Sequence, residues 1–170
     1  MVRGGAHPPR RPPRPGPYRG GVNENANANA NENASGAHRP GTERPFFVYG
    51  TLRPGGRHHD RLLRGRTAAE EDALLPDAVL HDGPGYPYAV AAPGAGPVTG
   101  TLLTAAPGTY PALLDALDLL ELPAGYERAA RATVRLRDGA RVSAWVYLAA
   151  PGTALGPPIP GGDWFGRADV

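Results

Sequence analysis

The chain has 170 residues and a formal net charge of +2. It lacks cysteine, which excludes disulfide scaffolds, thiolate-bound zinc or iron–sulfur clusters and thiol nucleophiles. Residues 1–44 carry seven arginines against Glu24, Glu32 and Glu43, while the rest carries eleven arginines against thirteen carboxylates. The positive sum therefore reflects a basic tail on a mildly acidic body, and it does not argue for a nucleic-acid-binding domain.

Residues 1–20 are rich in Pro and Arg, and residues 23–34 read NENANANANENA. Ala and Asn are both poor strand residues, so this alternation is not a strand signal. Nothing before Pro45 offers an apolar set able to offset chain entropy. Residues 1–44 are expected to be a disordered tail and residues 45–170 one domain. A role for the tail as an extended ligand or a basic arm stays open. Arg10 and Arg11 are followed by Pro, Gly and Asn, which is not the apolar stretch of an export signal. No apolar run approaches the roughly 18 residues of a membrane helix. A soluble, cytoplasmic protein without membrane or nucleic-acid partners is expected; the sequence leaves its oligomeric state open.

The body opens on Pro45-Phe46-Phe47-Val48-Tyr49-Gly50, an apolar run that predicts a buried strand. Pro54, Gly55 and Gly56 make the following segment a loop. Residues 57–64 can form a short helix through Leu62 and Leu63. Residues 73–81 predict a strand interrupted at Pro76, and Gly83-Pro84-Gly85 a turn before a short strand over 86–92. Residues 98–104 predict a strand whose Gly100 marks a bulge or a close backbone approach. A helix follows over 111–121. Asp138-Gly139 predicts a hairpin between strands over 129–137 and 141–148. Many short strands with one good helix predict an α+β fold built on a small, strongly curved sheet or barrel.

On that helix, at about 100° per residue, Leu113, Leu114, Leu117 and Leu120 form one apolar stripe. Asp115 lies opposite the stripe, Asp118 at its edge and Glu121 inside it. A carboxylate within an apolar seam is unfavourable unless paired or neutral. Burial, the helix C-terminus and the like charge of Asp118 should all raise the Glu121 pKa. Pro123 should hold Leu122 out of helical geometry. A Glu so raised suits general acid–base work near pH 7. Two structural alternatives stand beside this reading. Glu121 can swing out from a frayed helix end, or it can pair with an arginine such as Arg128.

Three further candidates carry less. His58-His59-Asp60 reads as solvated loop or helix-start residues rather than as a metal site. Ser143 has no nucleophile-elbow context. Trp164 is expected to pack on the barrel.

Phe47-Val48-Tyr49-Gly50-Thr51-Leu52-Arg53 resembles the opening strand and loop of the γ-glutamylcyclotransferase-like (AIG2-like) proteins. The likeness continues through Gly85-Tyr86-Pro87, Val98-Thr99-Gly100-Thr101-Leu102, Leu117-Asp118-Leu119-Leu120-Glu121 and Tyr126-Glu127-Arg128. It closes on Pro160-Gly161-Gly162-Asp163-Trp164. The resemblance implies a small mixed β-barrel with flanking helices. It implies an activity in which the α-amine of a γ-glutamyl compound attacks its own γ-carbonyl and releases 5-oxoproline and an amine. It further implies Glu121 as the catalytic group, the loop Tyr49, Gly50, Thr51 and Leu52 as the γ-glutamyl binding segment, and a small-molecule substrate with neither metal nor cofactor. Tyr126 is either a pocket hydroxyl or a barrel-core aromatic. An alternative alignment places Asp118 at the catalytic position. Gly100-Thr101-Leu102-Leu103 stands where the family often has an acidic residue and an aromatic. Thr51, Arg53 and Pro54 look closer to the γ-glutamylamine branch than to the glutathione-specific one.

Two functions rival this one: a non-catalytic binding module whose tail recruits a partner, and γ-glutamyl hydrolysis with water as nucleophile. On the favoured alignment Asp118→Asn is expected to retain most activity. Removal of residues 1–44 is expected to leave the melting temperature of the body unchanged; a large drop on truncation would show that the tail contributes to the fold.

Overall fold

The computed structural model describes residues 43–166, and the predicted tail lies almost wholly outside them. Seven strands, two α-helices and two short 3₁₀ turns follow one another within that span. β1 is Phe46–Val48, β2 Thr67–Leu75, β3 Ala78–His81, β4 Tyr88–Ala91, β5 Val98–Ala105, β6 Tyr126–Arg135 and β7 Arg141–Ala149. The helices are α1, His59–Leu63, and α2, Tyr110–Glu121. Five strands close a barrel in the order β1-β5-β2-β6-β7, and β3 and β4 form a separate two-stranded ribbon. Closure comes from the parallel pairing of β1 with β7, Phe46 opposite Trp145 and Phe47 opposite Val146. Every other barrel pairing is antiparallel. This is the expected small mixed barrel of an α+β protein. No helix among the described residues is long and apolar enough to cross a membrane.

β1 is only three residues long, yet it is paired on both sides and wholly buried. Its continuous apolar sequence follows from that position, since neither face meets water. α2 starts with Pro111 in its first turn, where a missing N–H has no consequence. Its buried residues are Tyr110, Leu113 and Leu117. They anchor it beside β1, with the Tyr110 ring 5.4 Å from Phe46, and burial of each such leucine is worth about 1.5–3 kcal/mol. The Tyr110 hydroxyl also accepts a 2.9 Å hydrogen bond from the Trp145 indole N–H.

Three local expectations change. β2 begins at Thr67, six residues before the predicted start, because Ala68 to Asp72 are poor strand formers that ladder pairing with β5 carries along. Gly100 is not a bulge: it pairs in register with Ala73. It is a close approach, since a Cβ there would lie 2.4 Å from both the Val48 carbonyl oxygen and the Phe47 ring. Leu122 is helical at φ −60° and ψ −42°, so the chain runs through Glu121 into a 3₁₀ turn, Leu122–Ala124. Pro123 fits there because it occupies the first turn of that new segment. Gly125, at φ +90°, ends it in the left-handed region.

Gly100→Ala is expected to destabilise the protein by about 1–3 kcal/mol, the scale of forced overpacking. Chemical denaturation checks this, and an unchanged unfolding midpoint would refute the close packing of β5 on β1.

Candidate active site

A cleft with a cavity volume of about 110 Å³ opens where the end of β1, the end of α2 and the segment before β4 converge. Its walls include Tyr49, Gly50, Thr51 and Leu52 from the loop after β1, Glu121 from α2, Tyr86 and Pro87, Tyr126 from β6 and Tyr147 from β7. All six residues singled out by the resemblance thus line one pocket, although they lie up to 77 positions apart. Arg57, His58, Leu120 and Ala124 line it too.

The loop is shaped by its own backbone. Arg53 N–H donates to the Gly50 carbonyl at 3.0 Å, Gly56 N–H to Arg53 at 2.8 Å, and His58 N–H to Thr51 at 3.0 Å. These bonds consume carbonyls, whereas the N–H groups of Gly50, Thr51 and Leu52 find no acceptor among the described residues. Backbone N–H groups without a protein acceptor in a pocket wall can donate to a ligand. Gly50 has a packing reason as well: a Cβ there would come within 2.7 Å of the Pro87 ring. Arg53 ties the loop to the C-terminal segment through a 2.7 Å ion pair with Asp163 and lies 5.1 Å over the Phe165 ring. Trp164 between these partners is buried.

Pro87 is in turn fixed by Tyr126, whose hydroxyl donates to its carbonyl at 2.7 Å. The Tyr126 ring packs at a tilt against Tyr88, centroids 4.8 Å apart, and Tyr88 donates to the Ala124 carbonyl at 2.9 Å. Tyr126 is therefore both a core aromatic and a pocket wall, with its hydroxyl committed to the backbone. Tyr49 donates to the Tyr147 carbonyl and accepts from Ala89 N–H at 3.2 Å. Burial holds the phenols of Tyr49, Tyr88, Tyr126 and Tyr147 above the ordinary tyrosine range, and the nearby charge of Glu121 pushes the same way. All four stay protonated near neutral pH.

Among the described residues the Glu121 carboxylate has neither a hydrogen-bond nor an ion-pair partner. Arg128 does not reach it: its guanidinium pairs with Asp118 at 3.0 Å, and Tyr147 donates to the other Asp118 oxygen at 2.6 Å. Burial alone lifts the Glu121 pKa to about 7. The like charge of Asp118, expected to contribute, is already neutralised by Arg128. Asp118 is thus paired on both oxygens, and its bond to Tyr147 holds a wall of the pocket beside Glu121.

Arg57 was not singled out from the sequence, and His58 was read there only as a solvated loop or helix-start residue; it does stand at the start of α1, and both line the pocket. His58 Nδ1 is 3.2 Å from Thr51 Oγ1, and burial, Arg57 and Arg61 lower its pKa, so the ring is neutral at pH 7. His59 faces away from this bond and pairs with Asp60 at 3.0 Å and Glu70 at 2.8 Å. Ser143 accepts from Arg44 at 3.1 Å. No local pattern separated His58 from His59; the signal was its place seven residues after Thr51, within reach of a loop that turns back on itself.

Comparison with known proteins follows this geometry. Residues 46–166 match the family described as gamma-glutamyl cyclotransferase, AIG2-like. An AIG2-like protein from Mus musculus is 26% identical, with a TM-score of 0.52 over 63% of this chain and 77% of its own. A protein from Arabidopsis thaliana solved in solution is 29% identical, with a TM-score of 0.52 over 68% and 66% of the two chains. An uncharacterized protein from Pyrococcus horikoshii shares the fold at 22% identity and a TM-score of 0.51, over 71% of this chain and 88% of its own. No curated protein matches the chain in sequence.

Two outcomes follow from the carboxylates. The folded state binds the Glu121 proton more tightly than the unfolded chain, where the pKa is near 4.5. Stability therefore falls as pH rises from about 4.5 to about 7 and this contribution levels off above that. Glu121→Gln should flatten the dependence and be at least as stable as the parent at pH 8; denaturation curves across pH check it. Asp118→Asn, by contrast, leaves Arg128 and Tyr147 with an uncharged partner. It should lose about 1–3 kcal/mol and part of any activity. Full stability in that variant would show that the Asp118 ion pair contributes nothing.

Proposed function

Because the chain belongs to the gamma-glutamyl cyclotransferase, AIG2-like family, we propose that it cyclises a γ-glutamyl compound to 5-oxoproline and releases the attached amine. The observation that carries this reading is the desolvated, unpartnered carboxylate of Glu121 in the wall of a pocket that also holds the free N–H groups of Gly50, Thr51 and Leu52.

The α-amine of the substrate arrives as an ammonium with a pKa of about 7.7–8, and an ordinary Glu at about 4.3 would face roughly 5 kcal/mol of uphill proton transfer. With Glu121 near 7 the gap shrinks to about one unit, or roughly 1 kcal/mol. Glu121 accepts that proton as the amine nitrogen attacks the γ-carbonyl carbon. The carbonyl oxygen gains negative charge, and backbone N–H donors in the loop stabilise it, typically by a few kcal/mol. Collapse of the tetrahedral intermediate breaks the bond to the leaving nitrogen, which takes the proton back from Glu121. Base and acid are one group, which requires a pKa near the working pH. Thr51, Arg53 and Pro54 favour the γ-glutamylamine branch over the glutathione-specific one.

Formation of 5-oxoproline from a panel of γ-glutamyl compounds tests the proposal. A γ-glutamyl substrate with an acylated α-amine should be inert; its turnover to free glutamyl product would instead establish hydrolysis. Glu121→Gln should lose on the order of 10²–10⁴ in rate. The parent kcat/KM should rise with pH through about 7, as Glu121 ionises. Silence across the panel, from a folded sample, would favour the binding-module reading.

A further inference from the structure

We propose that His58 is a positioning residue for the reaction, holding Thr51 so that the N–H groups of Thr51 and Leu52 face the developing oxyanion; this rests on the cyclisation reading above. His58 lines the cleft but takes no part in the proton transfers assigned to Glu121. It grips Thr51 twice. Its backbone N–H donates to the Thr51 carbonyl at 3.0 Å, and its ring Nδ1 lies 3.2 Å from Thr51 Oγ1.

The backbone bond fixes a peptide plane. In a trans peptide the C=O and the following N–H point in opposite directions. The Thr51 carbonyl faces the His58 N–H, so the Leu52 N–H points away from it. The Gly50 carbonyl faces the Arg53 N–H at 3.0 Å, so the Thr51 N–H points away from that turn. Rotation of either plane would put a carbonyl oxygen where a donor stands, and that oxygen would repel the charge the donor stabilises.

The ring bond holds both planes still, because Thr51 joins them. Thr51 is β-branched and stiff at χ1, so anchoring its hydroxyl anchors its backbone. His58 can act as the anchor because its own place is fixed. It stands at the start of α1, its carbonyl accepts from the Leu62 N–H at 3.2 Å, and Leu63 of that helix is fully buried. Burial, Arg57 and Arg61 keep the imidazole neutral near pH 7. A neutral ring has one donor and one acceptor nitrogen, and a hydroxyl can meet either, so both tautomers satisfy Thr51.

Rates of 5-oxoproline formation test this, with the γ-glutamyl compound of the panel that the parent cyclises fastest. His58→Ala removes the ring and keeps the backbone bond. It should lower kcat about tenfold with KM little changed, a smaller loss than removal of a whole oxyanion donor. His58→Asn places an amide nitrogen or oxygen where Nδ1 stands and should keep most of the parent kcat. Thr51→Val keeps the shape, loses the hydroxyl and should match His58→Ala. The double variant should lose no more than either single one, since both remove the same bond. The rise of kcat/KM through about pH 7 should persist in His58→Ala and His58→Asn, because Glu121 carries it. Additive losses, a raised KM at unchanged kcat, no recovery in His58→Asn, or disappearance of that pH limb would each overturn the proposal while leaving the reaction intact. A folded parent that makes no 5-oxoproline from any member of the panel overturns the reaction and the proposal with it. Melting temperatures establish that folded variants are compared. Should His58→Ala fail to fold, Thr51→Val and His58→Asn still decide, because the first must lose kcat and the second keep it.

Discussion

Asp118 and Glu121 stand three residues apart on α2, and the site depends on only one of them having a cation. Arg128 from β6 pairs with Asp118 and leans on the Trp145 ring, 4.9 Å away. That leaves Glu121 without a counter-charge in a wall of tyrosine rings, proline and leucine. Had Arg128 faced Glu121, the carboxyl would have been driven below its ordinary pKa and would be a poor proton acceptor. Pairing one acid therefore frees the neighbouring acid to carry a raised pKa.

The tyrosines make this arrangement tolerable. Their rings remove water from Glu121, and their hydroxyls are bound to Pro87, Ala124, Tyr147 and Asp118 instead of to Glu121. A phenol donating to Glu121 would stabilise its charged form and return its pKa towards 4.5. The same bonds fix Pro87 against Gly50, so the loop after β1 is braced from below by a proline ring and at its far end by the Arg53–Asp163 pair. Donors held this way do not have to reorganise when charge develops on a carbonyl oxygen.

The barrel and its site were legible to different depths. Phe46 to Gly50 announced β1, the leucine stripe announced α2 and Asp138-Gly139 announced the β6–β7 hairpin, because each is encoded by neighbours in sequence. The first half of β2 was not legible, since Thr67 to Asp72 owe their extended state to a partner strand 29 to 38 residues away. The partner of Arg128 could not be chosen from sequence either: one helical turn separates Asp118 from Glu121, and strand β6 arrives nearer the first. Arg57 and His58 carry no periodic signal and acquire meaning only when the loop folds back over Thr51.

The proposed reaction explains why so little machinery suffices. In a γ-glutamyl compound the nucleophile and the electrophile belong to one molecule, and a five-membered ring brings them together. Effective concentrations of well-oriented intramolecular groups reach about 10⁵ M or more, so the substrate already supplies much of the proximity that a two-substrate enzyme must build. What remains is to move one proton and to stabilise one oxyanion. Glu121 and the N–H groups of Gly50, Thr51 and Leu52 are matched to those two tasks. Water as nucleophile would bring no such proximity and would have to be held by a further polar group. The phenols of the inner wall around Glu121 are already engaged elsewhere, so that water would be left to the carboxylate itself and to the loop N–H groups.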